Sequence, residues 1–203
     1  MSTPKINYQL KLDGILENLE GRPKLLLHSC CGPCSSYVME YLEKYFQITV
    51  FYYNPCIDPD EEYEHRKRVQ QKLISDMNAK GSDITFLPDV PYRHDEYLEF
   101  IRGHEADPEG GERCHMCYEQ RMRAAAQYAK QNGYDYFCTT LSVSPYKNAQ
   151  YLNEIGESLE AETGVLWLYS DFKKRNGYKR SIELSHEYDL YRQDYCGCEF
   201  SRY

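Results

Sequence analysis

The stretch KLLLHSCCGPC, residues 24–34, sets the architecture of the chain. The apolar run that ends at His28 is typical of a strand buried on both faces of a parallel sheet. The Cys-Cys-Gly-Pro-Cys turn leads into a helical pattern through Tyr45, for which Ser35 or Ser36 is the predicted N-cap. The stretch therefore predicts a strand, a tight turn and a helix in immediate succession.

Outward from this unit, strand and helix patterns alternate about five times. Further strands are predicted at 48–53, 84–87, 136–141 and 165–169, and helices at 58–78, 95–101, 113–132, 148–163 and 181–191. We predict an α/β fold, a single-domain parallel sheet of about five strands with helices on both faces. Residues 1–23 are predicted to form an N-terminal segment, and residues 24–203 a single α/β catalytic domain. In such sheets the working site lies at the carboxyl ends of the strands, which is where the cysteine turn falls.

The composition is that of a globular protein, with 41% hydrophobic and 28% charged residues among 203. A net charge of -8 excludes nucleic-acid binding driven by overall charge, although it is compatible with a local basic patch. No apolar run is long enough to span a bilayer, and residues 1–10 show no signal-peptide pattern. We therefore expect a cytoplasmic protein with no membrane partner.

Nine cysteines in such a chain indicate metal or redox chemistry rather than structural disulfides. Seven of them form three groups, which are Cys30, Cys31 and Cys34; Cys114 and Cys117; and Cys196 and Cys198. Seven thiols exceed the four ligands of one tetrahedral zinc ion. They suit a [4Fe-4S] cluster with four cysteine ligands, and three thiols then remain for a second metal or a redox dithiol. The two single cysteines, Cys56 and Cys138, are predicted to be structural.

Several motifs occur together in the order found in one known family. They are residues 27–34, Tyr53-Asn54-Pro55, Glu62-Tyr63, the Cys114-x-x-Cys117 helix, residues 139–145 and, most specifically, residues 190–198, LYRQDYCGC. With these motifs the chain resembles the cobalamin-independent epoxyqueuosine reductases of the QueH type. The resemblance extends over roughly residues 24–201, which is nearly the whole chain.

The resemblance implies both a fold and a reaction. The fold is similar to the adenine-nucleotide α-hydrolase-like (Rossmann-like) fold. The reaction is the iron–sulfur-dependent reductive deoxygenation of epoxyqueuosine to queuosine at the tRNA wobble position, the last step of queuosine biosynthesis. The implied cofactors are a [4Fe-4S] cluster and, in at least some members, one additional mononuclear iron. The implied partners are tRNA bearing epoxyqueuosine and a low-potential electron donor such as ferredoxin or flavodoxin.

The resemblance also bears on how the thiols divide. Some relatives carry aspartate at the position of Cys34, which favours Cys34 as a ligand of a second metal. Relatives carry asparagine at the position of Cys56, which leaves Cys56 outside the predicted site. One division gives the cluster to Cys30, Cys31, Cys114 and Cys117, with Cys196 and Cys198 as a redox-active pair. The other division draws on all three groups for both the cluster and the mononuclear iron.

Other candidate site residues are predicted from their neighbours in sequence. Tyr191 and Asp194 flank the Cys-Gly-Cys turn and are candidate catalytic proton donors beside Cys196 and Cys198. The basic run at 171–180 follows the fifth strand and predicts phosphate contacts to tRNA through Lys173, Lys174 and Arg175. Further substrate contacts are predicted for Tyr53, Asn54, Tyr146, Lys147 and Arg192.

Two other functions fit the same residues. A zinc-stabilised nucleic-acid-binding module predicts bound zinc and no visible absorption. A thiol-disulfide oxidoreductase associated with tRNA predicts activity without any metal. A tRNA sulfurtransferase is disfavoured, because the cysteine turn stands where such enzymes carry a Ser- and Gly-rich ATP loop.

Overall fold

A computed structural model describes residues 6–202 of the chain. Five parallel strands form one sheet in the order β3-β2-β1-β4-β5, and they are β1 (Lys24–His28), β2 (Gln47–Phe51), β3 (Ile84–Phe86), β4 (Tyr136–Thr139) and β5 (Leu166–Trp167). The helices that flank the sheet are α1 (Tyr8–Glu17), α2 (Gly32–Leu42), α3 (Asp60–Ala79), α4 (His94–Phe100), α5 (Glu112–Gln131), α6 (Ala149–Thr163) and α7 (Gly177–Glu187). Two short 3₁₀ turns are Thr140–Val143, directly after β4, and Glu199–Ser201 near the C-terminus. The predicted α/β fold with a five-stranded parallel sheet is confirmed, and it is Rossmann-like.

Strand β1 lies at the centre of the sheet because its side chains are apolar on both faces. It pairs in parallel with β2 on one side and β4 on the other, so that Leu27 lies opposite both Val50 and Cys138. The side chains of Leu25, Leu26 and Leu27 are fully buried, as expected for a strand covered by helices. Because the strands are parallel, the segments that follow β1, β2 and β4 meet at one edge of the sheet.

Helix α2 begins earlier than the predicted serine cap. Cys31 is its N-cap, and Pro33 lies in the first turn, where its missing N–H breaks no helical hydrogen bond. The Ser35 hydroxyl donates to the carbonyl of Cys31, and the Ser36 hydroxyl donates to the carbonyl of Pro33, both at 2.8 Å. The prediction of Ser35 or Ser36 as the cap is therefore wrong, because both hydroxyls are bonded within the helix.

Helix α7 starts before the predicted 181–191 segment, at Gly177. A Cβ atom at Gly177 would lie 1.9 Å from the carbonyl oxygen of Phe172, so this close approach requires glycine. Strand β4 also ends before the predicted position, because the chain continues directly as the first 3₁₀ turn. These differences shift the ends of elements and leave their order unchanged.

Helix α1 lies within the predicted N-terminal segment, residues 1–23, of which residues 1–5 are outside the described part. The side chain of Asn7 caps the helix by accepting two backbone N–H groups of the first turn. Leu12 and Leu16 are buried in the same apolar core as the sheet. The sequence pattern did not predict this helix.

Among residues 6–202, no helix has the length and apolar character needed to cross a bilayer.

Candidate metal centre

A cavity opens at the carboxyl edge of the sheet, beside the ends of β1 and β4. Eight of the nine cysteines line it, namely the seven of the three predicted groups together with Cys56. All nine cysteines are free thiols. We call this space the thiol cavity. Cysteines that lie far apart in sequence therefore meet where the fold predicts a working site.

The first group, Cys30, Cys31 and Cys34, lies between β1 and α2. Its three sulfur atoms are within 4.8 Å of one another, and the sulfurs of Cys30 and Cys31 are 3.7 Å apart. The pKa of Cys31 lies well below its usual value, because Cys30 and Cys34 hydrogen-bond to its sulfur. The hydrogen bond with Cys31 raises the pKa of Cys30 to about 11. Cys31 is therefore the most acidic thiol of this group, and it lies at the start of a helix whose dipole favours negative charge.

The second group, Cys114 and Cys117, lies in the first two turns of α5, and Cys56 joins it. Cys56 follows the end of β2 and is buried on the cavity wall. A hydrogen bond from the Cys117 thiol lowers the pKa of Cys56 to about 6, and the same contact raises the pKa of Cys117. Cys56 thus belongs to the thiol cavity, contrary to the prediction that left it outside the site. Its position directly after a strand that neighbours β1 is the signal that would have found it.

The third group, Cys196 and Cys198, lies in a turn around Gly197. Gly197 has a φ of 108°, and a Cβ atom there would lie 2.8 Å from Cγ1 of Ile57. Both the backbone and the available space therefore require glycine at this position. The carbonyl of Gly197 accepts a hydrogen bond from the backbone N–H of Asp58 at 2.9 Å. The turn is consequently held against the loop that precedes α3.

Two buried side chains fix the same turn. Arg66 of α3 pairs with Glu62 at 2.7 Å and donates to the carbonyl of Cys196 at 3.1 Å. The hydroxyl of Tyr97, from α4, lies 3.4 Å from the sulfur of Cys198. Burial raises the pKa of Cys198 above its usual value. The position of this turn depends on side chains of α3 and α4 rather than on the sheet.

Buried cationic side chains face the thiols. Arg121 and Lys147 both line the cavity, and the Lys147 side chain is only 11% exposed. Arg121 donates to Oδ1 of Asn54 and to the carbonyl of Cys117, both at 3.2 Å. Positive charge in a poorly solvated space favours the thiolate form of nearby cysteines. The cavity can therefore hold several thiolates, which is what metal ligation requires.

This donor set fits an iron–sulfur cluster. Thiolate sulfur is a soft ligand that selects iron–sulfur clusters and zinc, and in the described part of the chain neither carboxylate nor imidazole lines the cavity. The sulfur of Cys114 accepts a hydrogen bond from the backbone N–H of Gly110 at 3.2 Å, and the Thr140 hydroxyl donates to the sulfur of Cys30 at 3.4 Å. Hydrogen bonds of this kind set the reduction potential of a cluster held by such sulfurs.

Comparison with known proteins finds matches over almost the whole chain. The family model described as epoxyqueuosine reductase QueH matches residues 25–203. The chain belongs to the epoxyqueuosine reductase QueH family. The proteins of that name from Streptococcus pyogenes serotype M1 and Staphylococcus epidermidis are 43% and 42% identical to it, over 97% and 99% of this chain and 78% and 87% of their own. The protein of that name from Thermotoga maritima is 31% identical over 87% of this chain and 89% of its own.

Membership in the QueH family confirms two predictions made from the sequence. The family itself is confirmed, and so is the assignment of the chain as an oxidoreductase. The matched residues, 25–203, include all eight cysteines of the thiol cavity. The site described above therefore lies within the part of the chain that the QueH family model matches.

The predicted proton donors lie outside the thiol cavity. The Tyr191 hydroxyl donates to Oε1 of Glu62 at 3.2 Å, and its ring packs against His65. Asp194 is exposed. Between them, Gln193 lines the cavity, and its buried Oε1 has no hydrogen-bond partner among the described residues. Neighbourhood in sequence placed Tyr191 and Asp194 near the cysteines, but the turn directs them to the surface.

The predicted substrate residues separate into three kinds of position. Lys147 lines the thiol cavity. Tyr53 and Asn54 are buried but do not line the cavity, and the Asn54 amide donates to the carbonyl of Ser29 at 2.8 Å, which supports the first cysteine turn. Tyr146 is 84% exposed and lies outside the cavity wall. The exposed Arg192 donates to the hydroxyl of Ser185 on α7, also outside the wall.

The predicted basic loop lies at the same edge of the sheet as the thiol cavity. Lys173 pairs with Asp171 at 2.5 Å and donates to the carbonyl of Ser142 in the first 3₁₀ turn. Arg175 pairs with Asp13 of α1. Lys174 is exposed and has no ion pair among residues 6–202. Two of the three predicted phosphate contacts are thus already paired within the protein.

Cys138 is the one cysteine that does not line the thiol cavity. It lies in β4, and its sulfur is 3.4 Å from the carbonyl oxygen of Leu168. Burial raises its pKa to about 12, so this thiol stays protonated in neutral solution. Its position in the core agrees with the structural role predicted for it.

Proposed function

We propose that this protein reduces epoxyqueuosine to queuosine at the wobble position of tRNA, the last step of queuosine biosynthesis, with a [4Fe-4S] cluster in the thiol cavity. The observation that carries this proposal is the meeting of eight cysteines in one cavity at the carboxyl edge of the sheet. Family membership supports the choice of substrate, because the curated relatives are named for reducing epoxyqueuosine.

The thiol cavity holds more sulfur than one cluster uses. A [4Fe-4S] cluster takes four thiolates, which leaves four of the eight for a mononuclear iron or a redox-active pair. One ligand set for the cluster is Cys30, Cys31, Cys114 and Cys117, and the other mixes ligands from all three groups. In our proposal Cys34 serves the mononuclear iron, while Cys196 and Cys198 serve either that iron or a redox pair.

The net reaction removes one oxygen atom from the epoxide. Two electrons and two protons are added, the oxygen leaves as water, and a cyclopentene remains. When bound, the cluster supplies electrons one at a time, and an adjacent iron supplies a Lewis acid for the departing oxygen. We assign the electrons to a low-potential donor such as ferredoxin or flavodoxin. The protein's own groups must then deliver the protons and exclude water.

Two tyrosines of the cavity wall are better placed to deliver protons than Tyr191 and Asp194. Burial raises the pKa of Tyr118 to about 12, so its hydroxyl keeps its proton at neutral pH. The ammonium group of Lys147 lies 5.2 Å from the centre of the Tyr118 ring, which places a second proton carrier beside it. Tyr97 also lines the cavity, and its hydroxyl lies beside the sulfur of Cys198.

The rim of the thiol cavity is the proposed contact for tRNA. The bond from Lys173 to Ser142 fixes the basic loop beside the cavity, and Lys174 projects from that loop into solvent. Tyr146 is exposed on a neighbouring loop, where an aromatic ring can stack on an unpaired base. In a protein of net charge -8, such contacts are local and weaken with salt.

The experiment uses tRNA that carries epoxyqueuosine. The anaerobically reconstituted protein is incubated with this tRNA and a reductant. The tRNA is then digested, and the masses of its nucleosides are measured by mass spectrometry. We expect a product lighter by one oxygen atom from the wild-type protein and from Cys138→Ala, whose cysteine lies outside the cavity. Cys114→Ala should lower turnover at least ~100-fold, because it removes a cavity thiol. Failure of the cluster-loaded protein to form product, or full turnover by metal-free protein, would overturn the proposal.

A further inference from the structure

Three side chains that the thiol cavity does not use converge beside the Cys-Gly-Cys turn. Asp58 precedes α3, His94 is the first residue of α4, and Glu199 begins the second 3₁₀ turn. One ligand atom from each lies within 4.8 Å of the others. Nε2 of His94 is 3.8 Å from Oδ1 of Asp58 and 3.6 Å from Oε1 of Glu199. Three separate elements thus bring one imidazole and two carboxylates to a common point.

A hydrogen bond fixes which nitrogen of His94 faces the carboxylates. Nδ1 lies 2.7 Å from the carbonyl oxygen of Pro55, which can only accept, so Nδ1 carries the proton and donates it. Nε2 is left pointing toward the two carboxylates. A histidine that binds a metal through one nitrogen commonly donates its other N–H to a backbone carbonyl in this way. His94 is therefore oriented as a ligand through Nε2.

The spacing of the three atoms suits ligands around a cation better than direct hydrogen bonds. The separations from Nε2 exceed the ordinary range for N–H···O hydrogen bonds of about 2.7–3.2 Å. Nitrogen and oxygen ligands at about 2.1 Å from a metal ion lie about 3.0–3.4 Å from each other in octahedral or tetrahedral geometry. The observed separations of 3.6 and 3.8 Å exceed these values by about 0.2–0.8 Å, so the three atoms are already gathered close to the spacing of a bound set of ligands.

The guanidinium of Arg202 is near these three residues, but its hydrogen bonds are made to the backbone of Asp58 and to Tyr195. Arg202 lies 3.5 Å from Oδ2 of Asp58, which is the carboxylate oxygen turned away from His94. Its guanidinium donates to the backbone carbonyl of Asp58 and, at 2.9 Å, to the hydroxyl of Tyr195. Oδ1 of Asp58 and Oε1 of Glu199 therefore have only the imidazole facing them in the described part of the chain.

We propose that Asp58, His94 and Glu199 bind a divalent transition-metal cation at a site separate from the thiol cavity. An imidazole with two carboxylates is a harder donor set than thiolate, and it suits Mn²⁺, Fe²⁺ or Zn²⁺. The site touches the Cys-Gly-Cys turn from two sides, because Glu199 follows Cys198 and the Asp58 N–H donates to Gly197. A cation there ties the turn to α4 and the loop before α3. The proposal does not depend on the reductase activity.

The test is a titration of Mn²⁺ into the anaerobically reconstituted protein, followed by electron paramagnetic resonance. Reconstitution occupies the thiols, and Mn²⁺ prefers oxygen and nitrogen ligands to sulfur. We expect one bound Mn²⁺ per chain, with a hyperfine coupling to an imidazole nitrogen in the spin-echo spectrum. His94→Gln should abolish that coupling and weaken binding at least ~10-fold, and Glu199→Gln should weaken binding while the coupling persists.

A matched control is available at another histidine–carboxylate pair of the chain. His104 pairs with Asp107 at 2.9 Å but with no second carboxylate in the described structure, so His104→Gln should leave Mn²⁺ binding unchanged. Thermal unfolding verifies that each variant is folded, and the exposed Glu199 gives a second variant should His94→Gln fail to fold. Absence of a bound Mn²⁺ at millimolar concentration, or an imidazole coupling that survives His94→Gln, would overturn the proposal. Iron and sulfide contents measured on the same samples report separately on the thiol cavity.

Discussion

The two cysteine turns of the thiol cavity are held in place by different means. The Cys30–Cys34 turn connects the central strand β1 to α2, so the sheet and the helix fix it directly. Among residues 6–202, no strand or α-helix directly adjoins the Cys196–Cys198 turn, which is held by Arg66, Tyr97 and the N–H of Asp58. The first turn is thus a property of local sequence, whereas the second is a property of tertiary packing. The second turn should therefore be the easier one to displace.

The largest effect is expected from replacing one cysteine in each turn, because we expect the two cysteines to have different roles in metal binding. Cys31→Ser should abolish both the visible absorption of the cluster and turnover, because it replaces the most acidic thiol of the Cys30–Cys34 turn. Cys198→Ser should keep the visible absorption and lower turnover at least ~100-fold, as expected for a ligand of a second metal or a member of a redox pair. Loss of the visible absorption in Cys198→Ser would instead make Cys198 a cluster ligand and end this distinction.

Removing the side chain that holds the second turn should have the next largest effect. Arg66→Met leaves Glu62 without its buried partner, and it should lower the free energy of unfolding by about 3 kcal/mol. It should also release the carbonyl of Cys196, so the reconstituted protein should lose turnover. Urea unfolding and the tRNA assay measure the two effects. Arg68→Met is the matched control, because Arg68 lies on the same helix but is exposed, and equal destabilisation by both would contradict the account.

Alanine substitutions at two glycines with the same φ distinguish the cost of backbone strain from the cost of steric crowding. Gly197 and Gly81 both have a φ of 108°, but a Cβ atom at Gly81 meets nothing within 4 Å, whereas one at Gly197 meets Ile57. Gly81→Ala should cost about 1 kcal/mol from the backbone alone, and Gly197→Ala about 2 kcal/mol. Urea unfolding gives both values, and iron content gives the effect on the site. An equal cost at the two positions would show that the second turn yields to the added methyl group.

The smallest expected effect concerns the Cys30–Cys34 turn and is seen in how the free energy of unfolding depends on pH. His28 ends β1, and burial lowers its pKa to about 3, while its ring nitrogens bond to Thr139 and the carbonyl of Tyr53. The unfolded chain, with an ordinary histidine pKa of about 6.5, binds this proton first. Stability from this residue is therefore present above pH ~6.5 and is lost as pH falls toward 3, by about 1 kcal/mol between pH ~6.5 and ~5.5. His28→Gln should remove this component of the pH dependence of unfolding, and an unchanged slope would contradict it.

The difference between local sequence patterns and tertiary packing also explains how much of the fold and of the site can be predicted from the sequence. The β1 run, the Gly-Pro turn and the helix after it are local patterns, so the sheet and the first cysteine turn follow from them. The spacing of the other cysteines in the sequence marks them as two further groups, and the family motifs include both. Helix α1 escaped prediction because its stability comes from burying Leu12 and Leu16 against the core rather than from a marked local pattern.

The misplaced and missed site residues have a common cause. Cys56 is a lone cysteine in sequence, and only the position of β2 beside β1 brings it to Cys117. Arg66 has the sequence context of a solvated helix residue, yet it is buried under the Cys196–Cys198 turn. Tyr191 adjoins that turn in sequence but points away from the cavity. In each case the contact is made between elements that are distant in sequence. Local sequence patterns do not predict how such elements are placed relative to each other.

The measurement that tests the central claim most directly is the iron and acid-labile sulfide content of anaerobically purified protein, with visible absorption recorded before and after dithionite. We expect about four sulfides with four or five irons per chain, and a brown absorption that bleaches on reduction. Zinc alone, with no sulfide after anaerobic reconstitution, would contradict it and leave a structural zinc site or a thiol-redox protein in its place.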